Sequence, residues 1–77
     1  MKGALNMMLK ELPAGKTAII EKVTTGDREL DSFLLSLGCY SGEEIRVISH
    51  GKSGSVVGIK DGRYSVDNAL ARAIEVF

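Results

Sequence analysis

Apolar residues recur with a helical period at one place in this chain. Leu30, Phe33, Leu34 and Leu37 fall at i, i+3, i+4 and i+7, the spacing that lines one face of an α-helix. Glu29 and Asp31 stand in the first turn, where the partial positive charge of a helix N-terminus favours carboxylates. Asp27 is the candidate N-cap, with no Glu or Gln three residues on to complete a capping box. Gly38 follows the stripe, where a chain leaving a helix turns left-handed and glycine does so without a Cβ penalty. Together these signals predict a helix over about 28–37. Its stripe is expected to cover one side or end of a sheet.

The rest of the chain alternates with the period of strands. Residues 16–23 are rich in β-branched side chains. In 44–49, Ile45 and Val47 face one way and Arg46 and Ile48 the other. Further strands are expected over 55–60, where Gly58 marks a bulge or a close backbone approach, over 63–66, and over 73–77 with Ile74 and Val76 on one face. Turn chemistry separates them at Leu12-Pro13-Ala14-Gly15, Thr24-Thr25-Gly26-Asp27, His50-Gly51-Lys52-Ser53-Gly54 and Asp61-Gly62, the last read as a two-residue type I′ hairpin turn. Asp67 or Asn68 is placed to cap a single helical turn through Ala69, Leu70 and Ala71. Met7, Met8 and Leu9 suit a short helical turn or a strand laid over the core, and Lys2-Gly3-Ala4 a loose terminus. The predicted class is mainly β with one inserted α-helix: a small, partly open barrel of five antiparallel strands. The domain is expected over 9–77, with 1–8 as an N-terminal segment.

Composition narrows the function classes. A chain of 77 residues is one small domain. Its core is expected to supply no more than about 3–5 kcal/mol without a staple. One cysteine excludes an internal disulfide, and one cysteine with one histidine cannot alone fill a structural zinc shell. Ten basic and ten acidic residues cancel, leaving no electrostatic pull towards nucleic acid or anionic membranes. No apolar run approaches a membrane span and no signal-peptide pattern is visible at Met1. With its free thiol the chain reads as cytoplasmic, and no cofactor is expected.

Candidates for chemistry are few. Cys39 and His50 are the single thiol and imidazole, and a nucleophilic pair would need hydrogen-bond contact and an orienting third group. The plainer reading makes Cys39 a small half-buried hydrophobe after the helix and His50 a polar residue at a strand end. Asp61, Asp67, Glu43 and Glu44 are scattered over turns, where acidic residues cap amides or face water. Gly51-Lys52-Ser53-Gly54 lacks the full spacing of a phosphate loop and opens no helix. No enzymatic activity is expected. With no Trp, two Tyr and two Phe, an aromatic groove for proline-rich peptides is poorly supplied. One feature points elsewhere. On a helical wheel Leu35 lies about 150° from the centre of the stripe, in company with Asp31, Ser32 and Ser36. Cys39 and Tyr40 follow directly, so Leu35, Cys39 and Tyr40 are the candidate partner-binding residues.

Leu34-Leu35-Ser36-Leu37-Gly38, a turn ending in Gly42 and then Glu44-Ile45-Arg46-Val47 resemble the central signature of the ferrous iron transport protein A (FeoA) family. Upstream, Leu12, Gly15 and Ala18-Ile19-Ile20 are similar to that family's start. Downstream, Gly62, Val66, Ala69-Leu70-Ala71 and Ile74-Glu75-Val76 are similar to its end. The resemblance runs from about Leu9 to Phe77 and departs at Ser41, where members commonly carry proline. It implies an SH3-like barrel and a small cytosolic accessory of the FeoB-type ferrous iron transporter, and it brings no catalytic residues or agreed metal ligands. Two other readings stay open. The same module resembles the C-terminal domain of iron-dependent repressors, which carry a separate helix-turn-helix reader that no segment here is left to form. A small-barrel RNA binder would want a basic surface and stacking rings, both scarce in this chain.

Overall fold

The computed structural model describes residues 6–77. The expected loose terminus at Lys2-Gly3-Ala4 lies outside them. In chain order the elements are β1 (Met7–Met8), a 3₁₀ turn (Leu9–Glu11), β2 (Thr17–Val23), α1 (Arg28–Ser36), β3 (Glu44–His50), β4 (Gly54–Ile59), β5 (Gly62–Asp67), α2 (Asn68–Ala73) and β6 (Ile74–Val76). Among the described residues six strands rather than five make the sheet, in the order β1-β6-β2-β3-β4-β5, and every pairing is antiparallel. The extra strand is β1, where Met7 and Met8 pair with Val76 and Glu75.

β2 bends the sheet into a barrel. Its first half, Thr17 to Ile19, pairs with β3, and its second half, Ile20 to Val23, pairs with β6. A register shift between Ile20 and Lys22 marks the corner, where an extra residue increases local twist. A second shift falls between Val47 and Ser49 of β3, so the bulge is at Ile48 and not at Gly58, which pairs in register. Among the described residues the barrel is not closed by hydrogen bonds, and β1 and β5 are its two edges. α2 packs against the 3₁₀ turn, β1, β4, β5 and β6. Asp67 caps it by accepting from the Leu70 N–H at 2.8 Å.

The core follows from the strand period. Ala18 and Ile20, Ile45 and Val47, Val57 and Ile59, Val66, and Ile74 and Val76 all point inward and are buried, joined by Leu9, Leu12, Leu34, Cys39 and Ala71. Outward positions between them are polar or half-buried.

One turn differs from expectation. Ile59 pairs with Gly62, so the two-residue hairpin loop is Lys60-Asp61, one residue earlier than Asp61-Gly62, and Lys60 takes the positive φ of 52°. Gly62 is instead the first residue of β5. A Cβ there would run into the Tyr64 ring, so glycine serves close packing at this position and not turn geometry.

Candidate functional site

α1 is held at both ends by its own sequence. The Asp27 carboxylate accepts from the N–H groups of Glu29 and Leu30 at 3.0 and 3.1 Å, confirming it as the cap. Asp31 reaches back to accept from the Thr25 hydroxyl at 2.7 Å, tying the first turn to the incoming loop. At the other end the Cys39 N–H donates to the Leu34 carbonyl at 3.0 Å and the Gly38 N–H to Leu35 at 3.1 Å. These are the two crossed bonds of a Schellman motif, and Gly38 at φ 94° is its left-handed residue. The buried pair Leu34 and Cys39 supplies the apolar contact that accompanies the motif.

The helix turns towards the barrel with Leu34 innermost, only 3% exposed. Leu30 and Leu37 pack partly against the core. The expectation that Phe33 is buried is overturned, since it is 55% exposed. The reason is angular: Phe33 and Leu34 diverge by about 100° on the wheel, and a helix seated on Leu34 leaves Phe33 on one flank. Leu35 diverges equally to the other flank and is 58% exposed, as the wheel predicts.

On Leu35's flank the structure gathers all three candidate residues around one depression, Leu35 and Tyr40 exposed and Cys39 buried. Leu35 and Tyr40 line one shallow depression of about 350 Å³ with Lys22, Val23, Asp31 and Ser32. Cys39 also lines the depression but is only 3% exposed, so it lies at the floor, where the Schellman turn folds it against Leu34. Burial pushes its thiol up to about 11, so it stays protonated and unreactive at neutral pH. The Lys60 ammonium sits 5.7 Å from the centre of the Tyr40 ring and donates to Glu43 at 2.8 Å. That hydrogen bond holds the Lys60 ammonium above its usual range and pins the cation beside the ring. No sequence signal pairs Lys60, in the β4–β5 turn, with Tyr40; only the fold does so.

His50 has a structural task. Its Nε2 lies 2.7 Å from the Leu12 carbonyl, which can only accept, so Nε2 carries the proton. Its Nδ1 lies 2.6 Å from the Ser55 hydroxyl, which donates to it in the neutral ring. Both ring nitrogens are engaged away from Cys39, and the two residues form no nucleophilic pair. Among the described residues no group of three or more His, Cys, Asp or Glu side chains gathers where a metal ion would be held. Among the described residues no helix is long and apolar enough to cross a membrane.

A model of the FeoA domain matches residues 7–76. The fold is shared with solved structures. A crystal structure of an iron uptake regulatory protein (FeoA) is 22% identical, with a TM-score of 0.82 over 94% of this chain and 96% of that one. FeoA of Stenotrophomonas maltophilia, solved with zinc and described as a prokaryotic SH3 domain protein and a candidate ferrous iron transport activating factor, is 26% identical. It covers 92% of this chain and 89% of its own, with a TM-score of 0.82. A manganese-dependent transcriptional repressor is 19% identical with a TM-score of 0.82; 92% of this chain matches 40% of that one, so the likeness is to one part of the repressor and shows the fold. A search of the curated proteins gave no match. With its central helix motif, six-stranded SH3-like barrel and a family match across nearly all its length, the chain belongs to the FeoA family, which is linked to ferrous iron transport.

Proposed function

We propose that this chain is a non-enzymatic protein-interaction module that acts in the cytoplasm on a FeoB-type ferrous iron transporter, contacting it through Leu35 and Tyr40. The observation that carries the reading is a leucine at 58% exposure beside a half-exposed tyrosine, on a helix whose two ends are locked. Exposed leucines are common singly. Here the residue shares a depression with Tyr40, whose ring is fixed by Lys60 and Glu43. A pre-ordered apolar and aromatic pair binds without a large ordering cost. An apolar anchor near the centre of an interface accounts for about 2 kcal/mol or more. The engaged nitrogens of His50 and the buried thiol of Cys39 favour a protein contact over a metal-handling role for this domain.

Leu35→Asp tests the proposal. It is expected to weaken binding to the transporter's cytosolic domain at least about tenfold, equivalent to 1.4 kcal/mol, with stability moved by no more than about 0.5 kcal/mol. Leu34→Asp is the control and is expected to unfold the domain. Normal binding by folded Leu35→Asp rejects this surface.

A further inference from the structure

On the opposite flank of α1 the structure leaves a second feature. A cleft of about 290 Å³ runs between the helix and β5. Leu30, Phe33 and Leu37 form one wall, and Tyr64 and Leu70 belong to the other. Four consecutive residues of β5, Arg63 to Val66, line it, so the cleft lies along the strand itself. Its volume falls just below the range of ligand pockets, about 300–1,000 Å³, and suits side chains better than a whole small molecule.

β5 is an edge strand with only β4 beside it. Its six residues pair with β4 without a register shift and include no proline, so neither of two common devices that blunt an edge is present. The hairpin closes on the pair Ile59 and Gly62. Hydrogen-bonded pairs alternate from there, so the backbone groups of Gly62, Tyr64 and Val66 face β4 and those of Arg63 and Ser65 face outward. No backbone bond outside the sheet ladder involves Arg63 or Ser65 among the described residues. A row of unpaired N–H and C=O groups beside an apolar slot matches one kind of occupant, an extended chain with alternate apolar side chains. Phe33 supports this. Its place in the helical stripe is that of a buried residue, yet it stands 55% exposed at the slot. The Arg63 guanidinium makes no ion pair among the described residues and favours an acidic residue at that end.

We propose that an extended segment of a partner protein, apolar at alternate positions and acidic between them, adds to β5 as a further strand and seats its apolar side chains against Phe33 and Tyr64. This surface is separate from that of Leu35 and stands or falls independently.

The test is an NMR titration of the whole chain with a short synthetic peptide alternating valine and glutamate. Saturable shifts of the Arg63 and Ser65 amides are expected, with slowed hydrogen exchange at both. The same peptide N-methylated on the valines or on the glutamates leaves the protein untouched. One of the two is expected to bind at least tenfold more weakly, because one set of peptide N–H groups faces β5. Phe33→Asp is expected to weaken the parent peptide to a similar degree, and Leu35→Asp to leave the titration unchanged. No saturable shift along 63–66, or equal binding of all three peptides, overturns the proposal. Shifts of Arg63 and Ser65 with protein concentration alone, unaffected by peptide, overturn it in favour of a second copy of this chain as the occupant.

Discussion

The His50 clamp offers the sharpest test of how this small barrel is held. Its ring joins the turn before β2 to the β3–β4 hairpin through Leu12 and Ser55. Replacing His50 by alanine removes both bonds, but the two orphaned groups fare differently. The Leu12 carbonyl is bonded to an exposed ring, so removing that ring is expected to open it to water. The Ser55 hydroxyl belongs to a residue 4% exposed and loses its one hydrogen-bond partner among the described residues. A buried polar group left unpaired costs about 1–3 kcal/mol. For a domain of this size each kcal/mol moves the melting temperature by about 4–8 °C, so His50→Ala is expected to lower it by roughly 4–24 °C. Ser55→Ala alone leaves only an exposed ring nitrogen, which water satisfies, and is expected to cost less. The decisive comparison is the double variant His50→Ala/Ser55→Ala. It removes the orphaned hydroxyl and is expected to melt above His50→Ala, because deleting both partners is cheaper than stranding one. The assay is thermal unfolding by circular dichroism, with the native spectrum checked for each variant. A His50→Ala melt within about 2 °C of the parent, or a double variant no more stable than the single, refutes the reasoning.

Further outcomes follow from the same contacts. Leu34→Ala should cost about 2–5 kcal/mol and leave little folded protein, whereas Phe33→Ala, at an exposed position, should change stability far less; chemical denaturation separates them. The Cys39 thiol should resist alkylation by iodoacetamide at neutral pH in the folded protein and react once denatured. Because its folded pKa of about 11 lies above the ordinary value of 9.0, its contribution to stability is fully present below pH 9 and is lost as pH rises through 11, which a pH series of melts would show. Anaerobic calorimetry with ferrous iron should find no stoichiometric site of micromolar affinity; one that disappears in His50→Ala or Cys39→Ala would overturn the assignment of both residues to structural roles.

Local signals carried far in this chain. Helix α1 was legible because its stripe, its Asp27 cap and its Gly38 stop are all written within a dozen residues, and each acts through backbone groups of the same segment. Strand faces were legible because side chains alternate regardless of what the strand packs against: Ile45 and Val47 point inward, Arg46 outward. The exposure of Leu35 followed from helical geometry alone. The hairpin at 60–61 was misplaced by one residue because Asp-Gly is a strong turn signal, and the competing demand, the Tyr64 ring lying on Gly62, is a packing contact within β5.

Sequence by itself thus determined the class of fold, the inward faces of the strands and the helix that carries the candidate surface. These depend on contacts between residues a few positions apart. Tertiary structure alone decided how α1 is rolled on the barrel, and with it that Leu34 goes in while Phe33 and Leu35 emerge on its two flanks. It decided that Cys39 leaves the surface, that Lys60 meets Tyr40, and that His50 is claimed by Leu12 and Ser55. It also decided that β5 is left as an edge beside an apolar slot. Each of these joins segments far apart in the chain, and their relative placement is set by the balance of all core contacts together, which no single stretch of sequence encodes.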